Sequence, residues 1–218
     1  MDEGIRWDWL RKQSDDIARM TLEHLQLTGI SMALALAIAL PLAIAVRNRR
    51  TPYAIAAGFT DVLYTIPSLA LFAMLLPFLG IGPLPAIVGL TAYALTMLVR
   101  NTVVGLRDVP APVREAARGQ GLTDRQILTR VEIPLALPAI MTGVRLATVS
   151  TVGIATIAAF IDGGGLGELI WQKGIQREMF LTPIVAGTVL TTLLAIVLDL
   201  ALLAIQRRLT PWARAARP

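Results

Sequence analysis

The chain has 218 residues, of which 55% are apolar and 16% charged, with a formal net charge of +5. An average soluble domain carries about 25% charged residues, so this composition excludes an ordinary water-solvated fold, and the mean hydropathy of +0.65 points to lipid as the solvent. The lack of cysteine excludes a disulfide framework and a thiolate metal site, and the lone His24 cannot make a metal centre by itself.

Residues 1–24 form an acidic leader in which Trp7, Trp9, Leu10, Ile17 and Met20 recur at helical spacings. That pattern predicts a helix lying at the outer membrane interface. Ala43-Ile44-Ala45 imitates a signal cleavage site, but the leader is long and acidic where export signals are short and basic, so the first apolar run reads as a retained span. A spanning helix needs about 20 mostly apolar residues. Runs of that kind cover 25–46, 53–79, 84–104, 135–161 and 180–205, which predicts an all-α membrane protein of five spans. Gly29, Ala33 and Ala37 recur every fourth residue on the first span and predict its packing face. Pro41, Pro67 and Pro77 lie inside spans, where each removes a backbone donor and bends its helix.

Orientation follows from the basic residues between the spans, which concentrate on the cytoplasmic side. Arg47, Arg49, Arg50, Arg100, Arg107, Arg114, Arg118, Arg125, Arg130, Arg207, Arg208, Arg214 and Arg217 share one side. Arg6, Arg11, Lys12, Arg19, Lys173 and Arg177 share the other, offset by leader acids. This predicts an external N-terminal segment (1–24), a transmembrane region (25–206) and a basic cytoplasmic tail (207–218). The basic residues form no aromatic-studded stripe, so no nucleic-acid partner is expected.

The connection 105–134 is too rich in local signals to be a plain linker. Pro110 and Pro112 open a short helix through Glu115, Ala116 and Ala117 that breaks at Gly119 and Gly121. Thr123 caps a second helix, and Gln126 three residues on completes a capping box. Ile127, Leu128 and Val131 give that helix an apolar stripe, and Pro134 is expected to end it before the fourth span. Val113, Ala116 and Ala117 share a face of the first helix whose small side chains leave room for a partner to approach.

Glu115-Ala116-Ala117, followed at fixed spacing by Gly121 and by Val131-Glu132-Ile133-Pro134, resembles the EAA loop of ATP-binding cassette importer permeases. Val131 and Ile133 stand where that family more often has Ile and Leu. Thr65-Ile66-Pro67-Ser68-Leu69-Ala70, Gly80-Ile81-Gly82, Arg100-Asn101-Thr102 and Gly163-Gly164-Gly165-Leu166-Gly167 are similar to segments of the glycine betaine, carnitine and choline uptake permeases. The resemblance implies the type I importer fold shared with methionine permeases, in a bacterial inner membrane. It also implies two separate ATPase subunits, a second permease chain, identical or sibling, and an external solute-binding protein. Val113, Glu115, Ala116, Ala117, Gly121, Val131, Ile133 and Pro134 are then the ATPase-coupling positions. The glycines 163, 164, 165 and 167 form an external gate loop of flexible backbone.

The only lysines, Lys12 and Lys173, do not follow glycine, so no phosphate-cradling P-loop is present. ATP and its Mg are therefore expected on a partner, with no cofactor held here and no enzymatic activity in the chain. Phe59, Tyr64, Phe72 and Tyr93 are scattered along the sequence, which assigns cargo selectivity mainly to the binding protein. Tyr64, Ser68 and Asn101 are the polar candidates for lining the path. Asp61, Arg145 and Asp199 each lie several residues inside a span, and an unpaired charge there costs about 2.5–3.5 kcal/mol or more. Arg145 is therefore expected to pair with Asp61 or Asp199. The rival functions are a permease for methionine or another amino acid, and an ion-coupled secondary transporter using Asp61 as its ion site.

Overall fold

The computed structural model describes residues 5–212. Among these residues the regular structure is helical throughout. Four helices are long and apolar enough to cross a membrane: α2 (Ser14–Val46), α5 (Pro83–Arg107), the run Asp124–Ile161, and α10 (Leu181–Leu209). A short α1 (Trp7–Lys12) precedes them. The run Asp124–Ile161 joins α7 (Asp124–Ile127), a π turn (Leu128–Glu132), α8 (Ile133–Ala155) and a 3₁₀ turn (Thr156–Ile161) without a break.

The expected second span is two helices, α3 (Arg50–Thr65) and α4 (Ser68–Leu79), bent by 97° at their junction. The cause is local. Pro67 excludes the preceding residue from the helical region, and Ile66 is extended with ψ 128°. The Tyr93 hydroxyl donates to the freed Ile66 carbonyl, so the break is satisfied inside the bundle. By contrast Pro41, Pro77 and Pro138 are carried inside their helices.

The central element is α5, which packs against α2, α3, α4 and α8. Its close approach to α2 rests on Ala35, Ala39 and Ala43, all fully buried, opposite Ala94, Leu98, Val99 and Val103. This alanine row replaces the expected Gly29, Ala33 and Ala37 row, which faces outward. Two small-residue rows lie on one helix, and only the one opposite bulky α5 side chains gains dispersion contacts on burial. On its other side α5 approaches α8 through Gly105 and Gly143: a Cβ on Gly105 would lie 2.8 Å from that of Ala139, and one on Gly143 2.6 Å from that of Asn101. Helix α10 sits at the margin, with Val189, Leu193, Val197 and Leu200 turned outward as an apolar face for lipid.

The leader does not remain a separate surface helix. From Ser14 onward it belongs to α2, and Met20 is buried under Leu166 and Leu169. Only part of the leader is tied to the rest of the protein: Lys173 binds Asp16 and Gln13, and Trp9 meets Phe180 edge-to-face at 5.4 Å between centroids, while Arg6, Asp8, Arg11, Lys12, Asp15 and Arg19 stay exposed. Of the expected basic tail (207–218), Arg207 and Arg208 belong to the last turn of α10, and residues 213–218 lie outside the described residues.

Candidate functional site

The 105–134 connection folds as the two short helices its local signals predict. Helix α6 (Ala111–Gly119) ends in a Schellman motif, with Leu122 N–H donating to the Ala117 carbonyl at 3.2 Å and Gly121 N–H to that of Arg118 at 2.9 Å. The motif needs a left-handed residue just past the helix, and Gly121 supplies it with φ +80°. Thr123 and Gln126 form the reciprocal capping box that opens α7. One expectation fails here: Pro134 does not end the second helix, which runs on into the membrane. The wider π turn before Pro134 accommodates a residue that has no N–H.

This folding turns Pro112, Val113, Glu115 and Ala116 to the outside, with Val113 38% exposed, while Ala117 is buried against the protein. Val113, Ala116, Ala117, Gln120, Leu122 and Val131 are among the residues that border an open apolar depression of about 440 Å³. Ile133 packs inward on Leu106, Ala136 and Ile140. Of the eight expected coupling positions, Val113, Ala116, Ala117 and Val131 line this depression, while Ile133 packs inward.

Beneath α6 lies a charged group that the pattern of the loop does not announce. Glu132 is 5% exposed, with the Arg114 Nε at 3.2 Å and the Arg47 Nε at 3.4 Å from its two oxygens. Arg114 also donates to the carbonyls of Leu106, Arg107 and Val109, and Arg47 to that of Ile44. These carbonyls lie in the last turns of α5 and α2 or just past α5, where a cation meets the negative end of the helix dipole.

At the opposite end the glycine-rich segment is seated, not loose. Gly164 and Gly165 have φ of +83° and +86°. Gly165 N–H donates to Glu23 at 3.1 Å, and Leu166 N–H donates to His24 Nδ1 at 3.2 Å. The buried His24 therefore carries its proton on Nε2, which donates to the Val152 carbonyl at 3.0 Å. A Cβ on Gly167 would fall 2.0 Å from the Thr156 carbonyl oxygen. Beside this segment an open cavity of about 360 Å³ is lined by Glu23, Gln26, Ile30, Asp162, Gly164 and Glu168. Burial, and then the nearby Glu23, push the Glu168 carboxyl above its ordinary range.

Of the three charges within the expected spans, Arg145 meets Asp199 in a two-pronged pair with both contacts at 2.8 Å. Asp61 does not share that pair. Helix α3 lies along α5, and Asp61 is held there by Arg100. Among the polar path candidates, Tyr64 is exposed at the α3–α4 break and stacks edge-to-face on the buried Tyr93 at 5.7 Å. Ser68 begins α4 beside it, so two of the aromatics that are scattered in sequence meet at one place. Asn101 bonds the Met97 carbonyl of its own helix and packs under Gly143.

Residues 31–214 match the family model of the binding-protein-dependent transport system inner membrane component. The chain is 37% identical over 204 residues, 93% of each protein, to the glycine betaine/carnitine/choline transport system permease protein OpuCB of Bacillus subtilis (strain 168). It is 40% identical over 200 residues to the osmoprotectant import permease protein OsmW of Salmonella typhimurium, covering 89% of this chain and 92% of that one. Among solved structures it resembles a chain of the MetNI methionine ABC transporter in an inward-facing conformation, with a TM-score of 0.81 and 26% identity over 89% of this chain and 96% of that one.

Proposed function

The chain belongs to the family of binding-protein-dependent transport system inner membrane components, and on that premise we propose how it works as the inner-membrane permease subunit of an ATP-binding cassette importer for osmoprotectants. The chain crosses the membrane five times, the bent α3–α4 pair counting as one crossing, with its N-terminus outside and its C-terminus inside. Two copies, or one copy and a sibling chain, enclose the path between them, since five spans are few to enclose a solute path alone. Glycine betaine, carnitine or choline reaches the external end from a separate binding protein.

The observation that carries this reading is the outward face of α6. Val113, Ala116 and Ala117 border an apolar depression on a short helix that projects from the cytoplasmic end, while Arg114 ties that helix to the end of α5. A partner ATPase seated there delivers its closure to the bundle, and ATP with its Mg stays on that partner. Tyr64 and Ser68, at the break between α3 and α4, face the path. Asn101 serves as an interhelical spacer beside it. The seated glycine segment 163–167 forms the external lip.

The methionine reading has the shared fold behind it, whereas the relatives that cover the chain at 37–40% identity bear osmoprotectant names. The test is uptake by liposomes holding the permease with its ATPase and binding protein. Radiolabelled glycine betaine, carnitine or choline enters only with internal ATP, and Ala116→Trp abolishes both ATPase docking and uptake. Import of methionine alone would overturn the cargo assignment, and import driven by an ion gradient without ATP would overturn the mechanism.

A further inference from the structure

We propose that Glu132 is a positioning residue that carries movement of the docking helix into the spans, an inference that rests on the importer reading above. Through two arginines its carboxylate links the ends of α2, α5 and α6 to the start of α8. Arg114 reaches it from α6, and the same guanidinium grips the end of α5 through Leu106, Arg107 and Val109, at 2.8 to 3.3 Å. Arg47 reaches it from just beyond the end of α2, and its own carbonyl accepts from the Arg107 Nε at 2.7 Å. Arg107 in turn lies over the Tyr53 ring of α3, 4.3 Å from its centroid. Glu132 itself belongs to the π turn that runs directly into α8.

Two features separate this joint from a static filler. A surface pair would be screened and weak, but Glu132 is almost wholly buried, so removing its charge leaves two arginines facing each other with no counter-ion. The contacts are also slack: neither the Arg47 Nε nor the Arg114 Nε lines up as a hydrogen-bond donor, and the Glu132 Oε2 has no hydrogen bond. A shift of about 0.5 Å would bring these atoms to the usual charge-assisted distance of about 2.7–2.9 Å. The carboxylate can therefore tighten on one arginine while loosening on the other, and α6 cannot tilt without altering its hold on both α2 and α5.

The experiment uses the full complex in liposomes, with spin labels on Gly119→Cys and Gln176→Cys, which the cysteine-free chain permits. In the otherwise native permease the label separation shifts when a non-hydrolysable ATP analogue is added. In Glu132→Gln the ATPase still co-purifies and hydrolyses ATP, but the shift is lost and uptake of glycine betaine per ATP falls about fivefold or more, within the range of single substitutions along a coupling network. Glu132→Asp restores part of both. A native shift and a native uptake-to-ATP ratio in Glu132→Gln would overturn the proposal, since a merely structural role lowers the yield of complex and leaves that ratio alone. Should Glu132→Gln fail to assemble, Arg47→Gln leaves the Arg114 contact in place: a smaller shift supports the proposal, and an unchanged one overturns it. The distance readout involves no cargo, so a complex that moves with nucleotide but imports no osmoprotectant refutes the cargo assignment alone.

Discussion

At the scale of single residues, the charges within the membrane-facing part are matched one to one, and that matching makes definite demands. Arg145 and Asp199 tie α8 to α10. Asp199→Asn leaves the guanidinium without a counter-ion and should cost about 2.5–3.5 kcal/mol, read as lost thermal stability of the purified chain. Replacing both residues by leucine should recover most of that loss, because an apolar pair removes the desolvation cost together with the attraction. Glu168 behaves in the opposite sense. Its carboxyl is pushed up by burial and by Glu23, so in the folded state the ionised form is disfavoured and stability falls as pH rises above the ordinary carboxylate range. Glu168→Gln should accordingly raise the melting temperature at neutral pH, with the gain vanishing below about pH 3, where both states are protonated. A gain that persisted at low pH would mean that packing, not charge, is responsible.

At the scale of elements, what sequence discloses depends on how local the cause is. The turn between α6 and α7 was readable because a Schellman glycine and a capping box act within a few residues of themselves. Gly121→Val places a β-branched residue at φ +80° and should cost about 1–2 kcal/mol, lowering ATPase co-purification, while Gly121→Asn should be nearly silent. The severity of the α3–α4 break was only half readable. Pro67 announces a bend, but its depth also depends on Tyr93, a residue of another helix that receives the freed carbonyl. Which small-residue row of α2 is buried was not readable at all, because Ala35 and Ala37 differ only in what stands opposite them. Glu132 stands within the loop motif, but its ion pairs were unreadable for the same reason: both arginines that meet it come from elsewhere in the chain.

At the scale of the whole molecule, the proposed orientation puts Arg125 inside and Gln176 outside the bilayer. The chain has no cysteine, so a single cysteine at either site reports without background. Arg125→Cys should react with a membrane-impermeant maleimide only after the cells are opened, and Gln176→Cys in intact spheroplasts. Labelling of both from one side would break the assigned orientation. The uninterrupted run Asp124–Ile161 gives this arrangement a mechanical meaning. At about 1.5 Å per residue it extends on the order of 55 Å, from the foot of the docking loop to the residues just before the outer glycine turn. In the proposed orientation such a pushrod has its two ends on opposite sides of the membrane, so a stroke applied inside should reach the outer mouth as the same rigid displacement. Opening toward one compartment and sealing toward the other are then a single event, and no intermediate open to both sides need form.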